Sequence, residues 1–204
     1  MREKYHIKEN KNRFYLPEEY MKVYNLMRGR LKFTVLVLIN TGARINEARH
    51  IKVEDITFGD KKLGLPASIC LKVTKTKSKK KERKGQVRYI PISSQLSKEI
   101  SKWAKKRKLK PESYLGLVSN PCLNKGLKIN SQKAGIKESL DFSAHSLRKT
   151  LETWLMALGV NDMKICKHIG HDIRTAMSNY VSPDIFSYQQ KQDMRKIIGD
   201  LYDS

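Results

Sequence analysis

The apolar residues of this chain change their period once, and that change limits the fold more than any other feature. Over most of the 204 residues they recur at three- and four-residue intervals, which places them in one stripe along a helix. Ile69, Leu71 and Val73, and then Val87, Tyr89 and Pro91, instead alternate with other residues, the period of a half-buried strand. A single hairpin set among helices predicts a mainly α fold with a small antiparallel β-sheet, in the α+β class.

The helices can be placed from their start and stop signals. One opens at Pro17 with Glu18 and Glu19 in its first turn, carries Tyr20, Val23, Tyr24 and Met27, and stops at Gly29. A buried apolar helix over residues 32–40 ends at Thr41 and Gly42, and a short one over 44–50 turns Ile45 and Ala48 inward. Leu96, Ile100 and Trp103 mark an amphipathic helix. Residues 111–128 read as irregular, followed by a short helix over 131–140. The clearest helix begins at Ser146, with Leu147, Leu151, Trp154, Leu155 and Leu158 on one face and Gly159 at its end. Another runs from Asn161 or Asp162 to Gly170, and residues 175–180 read as helical or turn-like. Ser182, Pro183 and Asp184 form a capping signal for a last helix bearing Met194, Ile197, Ile198 and Leu201. The expected organisation is a basic N-terminal tail (1–13), a catalytic domain (14–181) and a C-terminal helix (182–204).

Composition narrows the partners. Forty-two Lys and Arg against twenty Asp and Glu give 42 − 20 = +22, which predicts a polyanionic partner, nucleic acid before anionic membrane. The longest strongly apolar run, residues 35–39, is far short of the ~20 residues of a membrane span, and no secretory signal is visible. Three scattered cysteines, Cys70, Cys122 and Cys166, fit reduced thiols, so a cytoplasmic location beside DNA is expected. Residues 72–84, between the two strands, hold seven lysines, one arginine and one glutamate. Such a run is either a solvated loop or a surface that follows phosphates.

The segments TGARINEARHI, HSLRKT, HIGH and NYV carry the chemistry, supplying Arg44, His145, Arg148, His171 and Tyr180. His145 and Arg148 are three apart at a helix start and project to one side, where imidazole and a guanidinium fork make a phosphate receptor. Two arginines, two histidines, a lysine near a strand end and a late tyrosine cover the needs of phosphoryl transfer: charge stabilisation, an acid and a nucleophile. No carboxylate or histidine set is spaced to hold paired metals, so neither metal nor cofactor is expected. Cys166, His168 and His171 offer three metal ligands but no fourth at ordinary spacing, and His168 reads as a partly exposed core-edge residue without a role.

These segments resemble the active-site boxes of the tyrosine recombinase family, the integrases that include the Xer, Cre and phage lambda enzymes. TGARINEARHI resembles the first arginine box, with Arg44 on the scissile phosphate and Glu47 in a structural role. HSLRKT resembles the H-x-L-R-[HK]-[ST] box, giving His145 and Arg148. HIGH followed by Tyr180 resembles the L-G-H…Y box, and the spacing from the first histidine to the tyrosine, 180 − 145 = 35 residues, agrees with that family. The resemblance covers residues 41–181. It implies that Tyr180 attacks a phosphate of double-stranded DNA to form a 3′-phosphotyrosyl link and free a 5′-hydroxyl. It further implies that His145 and His171 hydrogen-bond the phosphate or assist proton transfer. The family's lysine lies in the hairpin. Here Lys75 is favoured and Lys77 is the reserve, while Lys77, Lys79, Lys80, Lys81, Arg83 and Lys84 fall to DNA-backbone contact.

By the same resemblance the chain is expected to assemble on DNA as a homo-oligomer, a tetramer in the synaptic complex, with the C-terminal helix available for exchange between subunits. Most members carry a separate helical DNA-binding domain before the first arginine box. Only 43 residues precede Arg44, so the chain is read as an isolated catalytic domain or a short enzyme. Without that domain the hairpin loop and a basic cluster at residues 102–110 would carry much of the DNA affinity. The competing readings are a type IB topoisomerase-like nicking-closing enzyme, a non-catalytic DNA-binding relative and a basic RNA-binding protein.

Overall fold

A computed structural model of the chain describes residues 13–59, 65–72, 87–171 and 185–202. Eight α-helices and one three-stranded sheet are found among these residues: α1 (Pro17–Leu26), α2 (Gly29–Thr41), α3 (Ile45–Ala48), β1 (Ile56–Thr57), β2 (Ser68–Lys72), β3 (Val87–Pro91), α4 (Ser94–Lys106), α5 (Asn120–Lys133), α6 (Ala144–Ala157), α7 (Asp162–Ile169) and α8 (Tyr188–Ile198). The sheet runs β1-β2-β3, both pairs antiparallel, with Ile69 opposite Ile90 and Leu71 opposite Arg88.

The buried helices α2 and α6 pack on each other at the centre. Helix α2 hides its polar residues by turning them on its own backbone: Thr34, Asn40 and Thr41 donate to the carbonyls of Arg30, Leu36 and Val37. Gly42 ends it in a left-handed conformation (φ 56°), its N–H on Leu38 O. On α6, Leu147, Leu151, Trp154 and Leu155 are fully buried, each such side chain stabilising the fold by about 1.5–3 kcal/mol. The Trp154 indole donates to Tyr15 O, and Tyr15 N donates to Thr150 Oγ1, which ties the start of the described chain to the core.

Four local expectations are corrected. Gly29 opens α2 instead of only ending α1. Residues 120–133 form a full helix, α5, capped by Ser119, whose side chain accepts from Cys122 N, with Pro121 in the first turn. Its apolar period is thin because only Leu123 and Leu127 among its buried residues are apolar, with Ser131 the third. Leu31 lies where a Cβ on Gly126 would stand, and Ser131 bonds the Tyr15 hydroxyl. The phase of β3 is opposite to the expected one: Val87 and Tyr89 face solvent, and Arg88 and Ile90 face in. His168 is not at the core edge but fully inside, at 1% exposure, its Nδ1 3.0 Å from the Tyr202 hydroxyl.

The C-terminal helix α8 begins at Tyr188, where the Ser187 side chain accepts from Gln190 N, and the capping signal at residues 182–184 lies outside the described residues. Met194, Ile198 and Leu201 are buried, and α8 packs against α1 and α6 of its own chain. No helix among the described residues is long and apolar enough to cross a membrane.

Candidate active site

The left-handed turn at Gly42 delivers the chain from α2 to Arg44, the residue preceding α3. Arg44 points out of the fold, its side chain 53% exposed, and its Nη1 is 3.0 Å from Glu47 Oε1. Glu47 is buried, and its other oxygen accepts from Arg44 N and from Arg88 Nη2 (2.9 Å). One carboxylate therefore holds two guanidinium groups, one on each oxygen, and fixes their separation.

Arg148 reaches the same place from α6. Ser143 caps that helix by accepting from His145 N, and the Ala144 N–H is taken by Asn124 Oδ1. His145 and Arg148 then share a face, and Arg148 Nη1 donates to Gly42 O at 2.7 Å across the α2–α6 contact. Arg44, His145 and Arg148 line one cleft of about 240 Å³, together with Asn120 and Asn124. A larger cleft of about 440 Å³, between Leu158, Lys164 and Tyr202, contains none of them.

His171 follows Gly170, the left-handed cap of α7 (φ 79°). A Cβ at Gly170 would fall on the Arg88 guanidinium, so only glycine lets α7 close on β3 here. His171 Nε2 lies 2.8 Å from Glu152 Oε1, a carboxylate one turn beyond Arg148 on α6. His168 turns inward to Tyr202 while His171 meets Glu152, so the two histidines of the C-x-H-x-x-H segment serve different neighbours.

The electrostatics are those of an anion receptor. Loss of water on burial, and then Arg44 and Arg88, push Arg148 down to about 9, so it remains cationic at neutral pH. Arg88 is lowered by burial, against the pull of Glu47. The His145 ring is lowered first by desolvation in the cleft and then by Arg148, although the residue keeps an open edge. Three guanidinium groups against two carboxylates leave an excess of positive charge that a phosphate would relieve.

Of the residues read from the sequence, Arg44, His145 and Arg148 come together at the cleft, and His171 joins α6 through Glu152. Lys75, Lys77, Lys79, Lys80, Lys81, Arg83, Lys84 and Tyr180 lie outside the described residues. Arg88 and Glu152 were not anticipated. The signal for Arg88 was its place one residue out of phase with Val87 and Tyr89. The signal for Glu152 was its spacing of four from Arg148 and seven from His145.

Residues 14–185 match the profile of the phage integrase family. The chain belongs to that family. A tyrosine recombinase of Pseudothermotoga lettingae is 26% identical over 174 residues, which are 82% of this integrase-family chain and 55% of the relative. The chain thus spans about half the length of the curated relative it matches. The catalytic domain of bacteriophage HP1 integrase superposes with a TM-score of 0.58 at 18% identity, covering 94% of this chain and 97% of that one. The XerH site-specific recombinase, in a post-cleavage complex with a palindromic difH substrate, gives 0.64 at 16% identity, over 95% of this chain and 54% of that one. The fold of this chain is that of the integrase catalytic domain.

Proposed function

We propose that this integrase-family chain is the catalytic part of a tyrosine-type site-specific recombinase. It cleaves and rejoins double-stranded DNA through a 3′-phosphotyrosyl intermediate. The observation that carries the reading is the convergence of Arg44, His145 and Arg148, from two separate parts of the chain, on one positively charged cleft. Arg44 and Arg148 clamp the non-bridging oxygens of the scissile phosphate and stabilise the charge that grows on them. His145 and His171 hydrogen-bond the phosphate or assist proton transfer. Tyr180 attacks phosphorus, the bond to the 5′-oxygen breaks, and Lys75, or Lys77 in its place, protonates that oxygen. Attack by a 5′-hydroxyl reverses the step, and the bond energy is kept in the phosphotyrosine, so no nucleotide cofactor enters.

The DNA partner follows from the charge of +22 and the lysine-rich stretch before β3. Recombination between two sites requires several protomers on DNA, and a tetramer is the assembly this reading implies. Tyr180→Phe tests the nucleophile. The variant is expected to fold and bind duplex DNA as the parent does and to form no covalent adduct on a nicked duplex. An adduct surviving on a denaturing gel would reject the assignment.

A further inference from the structure

Glu152 is a residue that the recombinase chemistry does not call for, yet it stands inside the site. It lies on α6 four residues after Arg148 and seven after His145, so all three project from one face of the helix. It is buried to 5% exposure, on a helix whose other inward residues are chiefly Leu147, Leu151, Trp154 and Leu155. A carboxylate withdrawn from water is costly unless charged or hydrogen-bonding partners meet it, and an apolar residue of similar size would pack there more readily. Partners do meet it: His171 Nε2 is 2.8 Å away, and Glu152 also acts on Arg148 and His145, favouring their charged forms.

We propose that Glu152 is a positioning residue of the active site, one whose buried carboxylate fixes the His171 imidazole against α6, the helix that carries Arg148. Arg148 is already held from the other side by Gly42 O, and Arg44 and Arg88 by Glu47. Each of these side chains then has an anchor, and Glu152 is the one belonging to His171. The contact with the ring has ion-pair length but is off hydrogen-bond alignment. The proposal rests on the recombinase reading for its catalytic consequence but not for its geometry.

Two measurements on the full chain separate these. In the first, the protein carries ¹⁵N-histidine, and the ring resonances of His171, assigned with His171→Gln, are compared between wild type and Glu152→Gln. The His171 signals are expected to shift, while those of the exposed His50 stay in place. Unchanged His171 signals would overturn the proposal. In the second, adduct formation is timed on a library of nicked duplexes with a randomised core. Glu152→Gln is expected to slow the single-turnover rate by on the order of ten- to a hundredfold, the cost of a misplaced reacting group, with DNA affinity unchanged. A change in melting temperature with the rate per folded molecule unaltered would make Glu152 structural only. Should Glu152→Gln fail to fold, Glu152→Asp decides by the same resonances, which an intact carboxylate is expected to restore toward wild type. Absence of any adduct with the wild type would count against the recombinase reading and leave the ring spectra to judge the positioning.

Discussion

Arg148 is a cation kept at 5% exposure with a backbone carbonyl, that of Gly42, as its hydrogen-bond acceptor. Such a group is held in place before its ligand arrives, and its planar fork presents parallel donors to a phosphate. Arg148→Lys is therefore expected to be nearly as damaging as Arg148→Ala, a loss of ~10²–10³ in single-turnover cleavage for one lost oxyanion donor. Near-normal cleavage by the lysine variant would place the residue outside the reaction. His168, three residues before His171, does the opposite job. Burial, and then Arg88, push its ring down to about 4 from the ordinary 6.5. The Tyr202 hydroxyl and the carbonyls of Asn40 and Thr41 surround it as a neutral group.

At the scale of elements, the helix ends build the site. Gly42 caps α2, carries the carbonyl that holds Arg148 and leads into Arg44. A side chain there would need a left-handed backbone, and its Cβ would collide with Ile169 Cδ1. Gly42→Ala is expected to cost about 1–3 kcal/mol in urea unfolding and to weaken cleavage further through Arg148. Parent-like stability and rate would show that the turn is dispensable. The hairpin contributes differently. Its inward Arg88 ties β3 to Glu47, and residues 73–86 carry the lysine-rich stretch between β2 and β3. Replacing Lys79, Lys80 and Lys81 with Ala is expected to weaken binding to all duplexes about equally. It should also flatten the dependence of log affinity on log salt by up to ~3 units. An unaltered slope would return these lysines to a solvated loop.

For the whole molecule, the buried neutral His168 makes stability depend on pH. Between about 4 and 6.5 the unfolded chain takes up a proton that the folded chain refuses, so the unfolded state binds more protons and stability rises with pH. The contribution is complete above about 6.5, declines as the pH falls toward 4 and amounts to roughly 3 kcal/mol in all. Urea midpoints at pH 5 and pH 7.5 are expected to differ markedly in the wild type and by much less in His168→Gln. Equal slopes in the two proteins would assign the effect to other groups. Because His168 bonds Tyr202, acid is also expected to loosen the last turn after α8, where Leu201 and Ile198 close the core.

The sequence by itself determined the helical class, the single hairpin and three of the residues that meet at the cleft. Periodicity, caps and short motifs are local, and Leu147 to Leu155 or the Thr41–Gly42 stop can be read within a few turns of chain. Helix α5 was missed because only Leu123 and Leu127 of its buried face are apolar, and other elements complete the rest, Leu31 over Gly126 and Tyr15 on Ser131. The inward phase of β3 was missed for a related reason. Hydrophobicity would put Val87 and Tyr89 inside, but Glu47, 41 residues earlier, supplies the partner that makes it favourable to bury Arg88 instead. The burial of His168 and the meeting of His171 with Glu152 likewise depend on groups that only folding brings within 3.0 Å. The candidate residues for the chemistry were legible in the sequence, because a reaction restricts residue type and order. How the charges are held was not, because a buried charge is tolerated only where distant segments supply its counter-charge, and tertiary structure alone decides that.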